Sequence, residues 1–209
     1  MLVLANWSVL KLMRMRLLVL VLVVAGCSNS PERYQTPEVD VTNAAAQAIQ
    51  LYDANRDDAL DKNELAKCPG MLARLAAYDS DGSESVSAEE IESHLGRLLN
   101  GVGGTQLTAA VYYKNRPLKG AKVVMEPEPY LGDAIQAAEG ETDGSGTAKL
   151  GIPPEYAPEH LRRLKTVHYG TFKVRITHPS IELPAKYNTQ TELGYETEPG
   201  NSRVTFALQ

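Results

Sequence analysis

Residues 53–64 read DANRDDALDKNE and residues 79–90 read DSDGSESVSAEE, and laid over one another they keep the same chemistry at the same offsets. Oxygen-bearing side chains stand at relative positions 1, 3 and 5, as Asp53, Asn55 and Asp57 in the first and as Asp79, Asp81 and Ser83 in the second. Position 9 is Asp61 or Ser87, and position 12 is a glutamate in both, Glu64 and Glu90. Position 7, Ala59 or Ser85, need supply only its backbone carbonyl. This is the ligand spacing that lets a short backbone loop wrap a hard divalent cation, closed by a bidentate glutamate. The apolar residue at position 8, Leu60 or Val86, is expected to pair in a short strand with the other loop and to point into the core. Tyr52 precedes Asp53 as Tyr78 precedes Asp79, and Leu65 and Ile91 follow the two glutamates.

The repeat resembles an EF-hand pair, and the expected ligand is Ca²⁺, held in the first loop by Asp53, Asn55, Asp57, Ala59, Asp61 and Glu64. The second set is Asp79, Asp81, Ser83, Ser85, Ser87 and Glu90. Two polar turns between helices would account for the aspartates and serines, but not for a glutamate twelve positions along in both copies. Position 6 departs from the pattern. A glycine is usual there because the loop turns with positive φ, whereas this chain has Asp58 and Glu84. Loop one offers four acidic ligands against three in loop two, so the first site is expected to bind more tightly. Only 26 positions separate Asp53 from Asp79, and Cys68-Pro69-Gly70 interrupts the segment between them, so the helices there must be short. Such a pair suits a rigid, calcium-stabilised module more than an opening sensor. Met71 is the one methionine in residues 42–100, so the methionine-rich groove of sensors is not visible.

The charge is uneven. Residues 40–100 hold twelve acids against five bases, while residues 101–209 hold twelve of each, within a net charge of −5 over 209 residues. The balance gives no basic surface for nucleic acid. With 43% apolar and 22% charged residues the chain is neither disordered nor fibrous, and it has material for about two compact domains.

Lys11, Arg14 and Arg16 precede an apolar run over residues 17–24 that ends at Ala25-Gly26-Cys27, the order of parts in a signal peptide. The run is about half of what a membrane-spanning helix needs. Val24-Ala25-Gly26-Cys27 resembles the lipobox of bacterial lipoproteins, which implies removal of residues 1–26 and a lipid on Cys27 at the mature N-terminus. Met13-Arg14-Met15-Arg16 makes a more usual start for such a signal and points to Met13 as the initiator. Ser28 resembles the residue at that position in lipoproteins sent to an outer membrane, so the expected location is the cell envelope, outside the cytoplasm. With Cys27 lipidated, Cys68 has no partner for an intrachain disulfide. Residues 27–41 carry prolines and polar residues without helical period and read as a flexible tether.

Past residues 100–104, a glycine-rich run read as a hinge, the apolar period changes from helical to two. Phe172, Val174 and Ile176 alternate with Lys173, Arg175 and Thr177, and Val204, Phe206 and Leu208 alternate with Arg203, Thr205 and Ala207. Further strands are expected at 107–113, 121–125, 138–142, 147–152 and 192–196, punctuated by turn signals such as Asp143-Gly144-Ser145-Gly146. Without intervening βα repeats, about seven short strands imply an antiparallel β-sandwich. The fold class expected is therefore α+β and multidomain: an EF-hand pair at 42–100 followed by a sandwich at 105–209.

The succession Val111-Tyr112-Tyr113, Pro117-Leu118-Lys119-Gly120-Ala121, Thr142-Asp143-Gly144-Ser145-Gly146 and Gly170-Thr171-Phe172-Lys173-Val174 is similar to that of carboxypeptidase regulatory-like domains. Leu183-Pro184-Ala185-Lys186-Tyr187-Asn188 and the ending from Pro199-Gly200-Asn201 onward resemble the version found in small bacterial lipoproteins. The resemblance covers about residues 105–209 and implies a transthyretin-like sandwich that is non-catalytic and serves as a structural or binding module. Residues 127–136 and 155–164, the latter with His160, read as inserted loops.

Enzymatic signals are missing. None of His94, His160, His168 and His178 has a glutamate three residues on, as a zinc carboxypeptidase would need, and neither a nucleophile elbow nor a phosphate-cradling loop occurs. The expectation is a non-enzymatic, lipid-tethered calcium protein whose sandwich contacts an extracytoplasmic protein or glycan. A calcium-responsive sensor, a carbohydrate- or peptide-binding module and a hydrolase remain as alternatives, in that order.

Overall fold

The structure is a computed structural model that describes residues 37–100, 103–157, 159 and 162–209. The expected signal peptide, Cys27 with its expected lipid, most of the expected tether, two residues of the expected hinge and His160 lie outside the described residues.

Helix α1 (Val41–Tyr52) starts where the Asp40 side chain accepts a hydrogen bond from the Asn43 amide at 3.0 Å, and it buries Ala44, Ala45, Ala48 and Tyr52. Three alanines on one face allow close approach of α5 (Ala88–Leu99), which packs Ile91, Leu95, Leu98 and Leu99 inward. Between them the chain makes three single turns, α2 (Lys62–Leu65), α3 (Pro69–Leu72) and α4 (Leu75–Tyr78). Pro69 opens α3 because a proline lacks the amide that could continue α2. Two short strands, β1 (Ala59–Leu60) and β2 (Val86–Ser87), pair antiparallel with Leu60 opposite Val86.

The β part holds two sheets. In one, β11 (Gly194–Thr197), β10 (Gly170–Thr177), β6 (Lys122–Pro127) and β7 (Ala138–Glu141) lie in that order, all antiparallel. In the other, β4 (Leu107–Tyr113) is central, with β12 (Arg203–Leu208) on one side and β5 (Arg116–Pro117) and β8 (Thr147–Leu150) on the other. Reciprocal backbone bonds between Glu139 and Gly151 join the two sheets at the β7 and β8 edges. A small ladder pairs β3 (Gly104–Thr105) with β9 (Val167–His168). Inward residues of both sheets, among them Val111, Met125, Leu150, Phe172, Val174 and Leu208, belong to one buried cluster.

The mixed α+β class expected from the sequence is observed, with two differences. β12 runs parallel to β4, where the sequence reading predicts antiparallel strands throughout. Period-two alternation reports which face of a strand is dry but says nothing of its direction, and these two strands are too far apart in sequence for a turn to dictate it. The second difference concerns the hinge. Helices and sheets fall in one compact unit, Tyr34–Gln209, and share one buried cluster rather than flanking a joint. Bare backbone makes the contact between them. A Cβ on Gly194 would lie 1.8 Å from the Pro69 carbonyl oxygen, and one on Gly70 would lie 2.8 Å from the Phe172 nitrogen. Helix α3 thus sits directly on β10 and β11, at a distance only glycine allows.

Candidate metal centre

Both acidic loops close by the same bonds. Asp53 sits at the end of α1, where its Oδ1 accepts from the Arg56 amide at 2.6 Å and its Oδ2 from the Asp58 amide at 3.1 Å. Asp79 repeats this at the end of α4, accepting at Oδ1 from Gly82 (2.8 Å) and Ser83 (3.0 Å) and at Oδ2 from Glu84 (3.0 Å). These bonds require a left-handed backbone at relative positions 4 and 6. Arg56, Asp58 and Glu84 each have φ of 64° and Gly82 has 77°. Glycine is therefore dispensable at position 6, although the conformation that favours it is kept; aspartate tolerates it better than glutamate.

The closing glutamates fold back in parallel. Glu64 accepts at Oε1 from the amides of Ala54 (2.8 Å) and Asn55 (3.1 Å) and at Oε2 from that of Asp61 (3.0 Å). Glu90 accepts at Oε1 from the Ser80 amide (2.8 Å) and at Oε2 from the Ser87 amide (3.0 Å), with both serine hydroxyls adding bonds. Burial pushes the Glu90 carboxyl up, but the amides and hydroxyls of Ser87 and Ser80 outweigh it and hold the group below its usual range. Each glutamate is at once the last residue of its loop and the third of the following helix, completing a capping box with Asp61 or Ser87.

Carboxylate oxygens of Asp53, Asp57 and Glu64 lie within 4.8 Å of one another, and so do those of Asp79, Asp81 and Glu90. Asp61 stands outside the first group because its Oδ1 caps α2 through the Asn63 and Glu64 amides, at 2.7 and 2.9 Å. Those amides also hold the Asp61 carboxyl below its usual range, the Glu64 amide most of all. Asn55 bridges to Asp57, donating from Nδ2 to Asp57 Oδ2 at 2.9 Å. In the second loop the Ser83 and Ser85 hydroxyls lie 3.2 Å apart, and Ser83 also donates to the Ser85 carbonyl at 3.3 Å. Beneath both loops Leu60 and Val86 are fully buried, so the loops rest back to back on a dry strand pair.

Sequence reasoning missed two buried carboxylates below the loops. Glu128, fully buried at the end of β6, accepts at Oε2 from the Tyr52 hydroxyl (3.0 Å) and at Oε1 from the Gly70 amide (3.2 Å), with Lys173 Nζ 3.5 Å away. Burial raises its carboxyl above the usual range against the pull of Lys173. Glu196 on β11 accepts at Oε2 from the Tyr78 hydroxyl (2.9 Å), with His94 Nε2 at 3.1 Å and Arg74 Nε at 3.4 Å. Arg74 also binds Glu198 at 2.7 Å. The repeated tyrosine before each loop was the visible signal; its partners, 76 and 118 positions away, were not.

Elsewhere the polar groups serve the fold. Cys68 is buried, and burial, followed by the nearby Glu128, pushes its thiol far above the usual range, away from the thiolate form. His168 accepts at Nδ1 from the Gln136 amide at 3.0 Å, and burial lowers its pKa to about 4. His178 accepts at Nδ1 from the amides of Ser180 and Ile181, and His94 faces Glu196. Among the described residues, only the two loops bring three or more acidic, histidine or cysteine ligands together. No family model, curated protein or solved structure matches the chain.

Proposed function

We propose that the chain binds calcium through two EF-hand loops that act as a rigid structural pair, and that it is a non-enzymatic interaction protein of the cell envelope. The observation that carries this reading is the coincidence of backbone and ligand patterns. Positions 4 and 6 are left-handed in both loops, and in each the carboxylates of positions 1 and 12, with one from position 3 or 5, gather within 4.8 Å. Ordinary acidic turns have no reason to repeat this geometry, whereas oxygen ligands around one hard cation require it. A bound Ca²⁺ would replace the mutual repulsion of three carboxylates in each loop by attraction to one cation, stabilising the folded state.

A structural role fits the packing better than a switching one. Helices α1, α3 and α4 are each tied to the β part by backbone contact or by bonds to buried glutamates, so opening the pair would break them. For the β part the reading is a transthyretin-like sandwich of the carboxypeptidase regulatory type, serving as a contact surface for an extracytoplasmic protein or glycan. One cleft there is lined by Gln106, Leu107, Thr108, Lys149, Arg163, Leu164 and Lys165, a cationic set suited to contact with a polar or acidic surface. Lipid at Cys27 would hold the protein on a membrane surface; among the described residues no helix is long and apolar enough to cross one.

Calcium titration of the metal-stripped protein, followed by calorimetry and native mass, tests the reading. It should show two ions per chain, a raised melting temperature and no new binding of an apolar dye. No uptake at millimolar calcium would overturn the assignment, and calcium-induced dye binding would replace the rigid pair by a sensor.

A further inference from the structure

The residue before the first ligand of each loop is a tyrosine at the end of a helix, and each tyrosine hydroxyl ends on a buried glutamate of the β part, Glu128 just past β6 or Glu196 within β11. Tyr52 reaches Glu128 at 3.0 Å and Tyr78 reaches Glu196 at 2.9 Å. Tyr52 is 8% exposed and Tyr78 1%, while Glu128 and Glu196 are 0% and 2%. Neither acceptor has solvent to replace a lost donor. Two unrelated side-chain contacts would not be expected to recur at the same offset in both halves of the repeat. They recur here although one glutamate follows β6 and the other lies within β11.

We propose that Tyr52 and Tyr78 are positioning residues through which the β part sets the calcium affinity of the two loops, Glu128 acting on the first and Glu196 on the second. The proposal rests on the calcium reading above and adds its regulation. Asp53 and Asp79 are covalently next to the anchored tyrosines, so fixing the ring in its slot also fixes the backbone that aims the first ligand. Losing the anchor lets the last turn of α1 or α4 fray, and the first carboxylate must then be ordered at the expense of binding. Coupling of this kind is reciprocal: calcium in the loop must tighten the seam by the same factor as the seam tightens calcium.

The neighbouring bonds make the effect partial. Glu128 keeps the Gly70 amide and Lys173 when Tyr52 loses its hydroxyl, and Glu196 keeps His94 and Arg74. The sheet side therefore keeps its other partners and stays folded while the loop side loses its tether. The expected weakening is about fivefold or more at the loop concerned, the lower end of measured couplings.

The test is calorimetric calcium binding to the full chain, well below its melting temperature. Glu90→Gln leaves loop one as the site and Glu64→Gln leaves loop two. In the first background Tyr52→Phe should weaken binding at least fivefold and Tyr78→Phe by less; in the second the order should reverse. Tyr187→Phe is the control, since it deletes a buried hydroxyl that meets only the Gln209 amide, far from both loops in sequence, and it should leave affinity unchanged. Glu128→Gln and Glu196→Gln provide a second pair that keeps the shape of each acceptor, and these too should act on their own loops. Unchanged affinity in the tyrosine variants of a chain that binds two ions overturns the coupling alone. So does an equal loss in Tyr187→Phe. A chain with wild-type loops that takes up no calcium overturns the reading underneath.

Discussion

The acidic loops and the seam beneath them hold carboxylates in opposite ways. In the loops every bond to Glu64 or Glu90 comes from a residue at most 10 positions away, although Glu64 is itself buried and Glu90 half-buried. In the seam Glu128 and Glu196 are buried and take their tyrosine bonds across 76 and 118 positions. The first arrangement is a property of a short stretch of chain, and the second exists only once the sheets have formed. Loop carboxylates should therefore matter to stability through the ion they are proposed to hold, and seam groups should matter whether or not it is there.

The largest effect expected on this division is in Glu64→Gln combined with Glu90→Gln. With free calcium at about a hundred times the dissociation constant, each site would add about 2.7 kcal/mol, so the double variant forfeits about 5 kcal/mol in calcium. Without calcium it should lose much less, because each glutamine keeps one acceptor oxygen for the loop amides and gives up only the bonds made by the other. Thermal unfolding with and without calcium checks both halves. An equal loss in the two conditions would make the loops ordinary polar turns.

Gly194→Ala is the complementary probe of the seam. The added methyl would overlap the Pro69 carbonyl, so α3 must lift from β11, at a cost of about 3 kcal/mol. Urea unfolding of the metal-free chain should show the loss in full. A change under about 0.5 kcal/mol would mean that the two backbones are not pressed together.

How much could be read in advance follows the same division. The convergence of Asp53 with Glu64 and of Asp79 with Glu90 was legible because their spacing is local, and so were buried Leu60 and Val86 and most strand positions, where alternation marks the dry face. The departures at Asp58 and Glu84 were legible too, but not that both keep the left-handed turn. Asp61 was read as a ligand, yet its carboxylate lies outside the close group and caps α2, a role the same spacing permits. The parallel course of β12, the docking of α3 on glycine backbone and the two buried glutamates were not legible. Each depends on residues brought together from distant parts of the chain, and nothing around Glu128 or Glu196 marks them as different from a surface glutamate.

Burial in the β part gives a pH signature that the loops should not share. His168 has a pKa of about 4 in the folded chain against 6.5 for an unhindered histidine, because burial disfavours its charged form. As pH falls, the unfolded chain takes up this proton first. The contribution is present in full above about pH 6.5, declines between 6.5 and 4, and is gone below about 4, a total of about 3 kcal/mol. Comparing the pH dependence of wild type with His168→Gln by chemical unfolding isolates it, and parallel curves would refute it.

A smaller effect separates the two loops themselves. Each close group holds three carboxylates, so the expected advantage of loop one now rests on Asp61, whose charge stands beside the group where loop two has Ser87. Loop one should bind about tenfold more tightly at most, roughly 1.4 kcal/mol. In calorimetry, Glu64→Gln should remove the tighter phase and Glu90→Gln the weaker one; equal losses would erase the difference.

The smallest expected effect is at position 6, where the backbone is the same and the residue is not. Glu84 pays for a φ of 64° that a side chain disfavours by about 1 kcal/mol, and glycine would relieve it. Against that relief stand the greater freedom of glycine in the unfolded chain and the Lys62–Glu84 ion pair, whose groups are 59% and 77% exposed and so add little. The terms nearly cancel, leaving Glu84→Gly about 0.5 kcal/mol more stable in the metal-free chain. Asp58→Gly should gain less, since aspartate already accommodates this conformation. If Glu84→Gly instead loses more than about 1 kcal/mol, the turn is held by its side chain after all, and the backbone equivalence of the two loops would no longer explain why both can close.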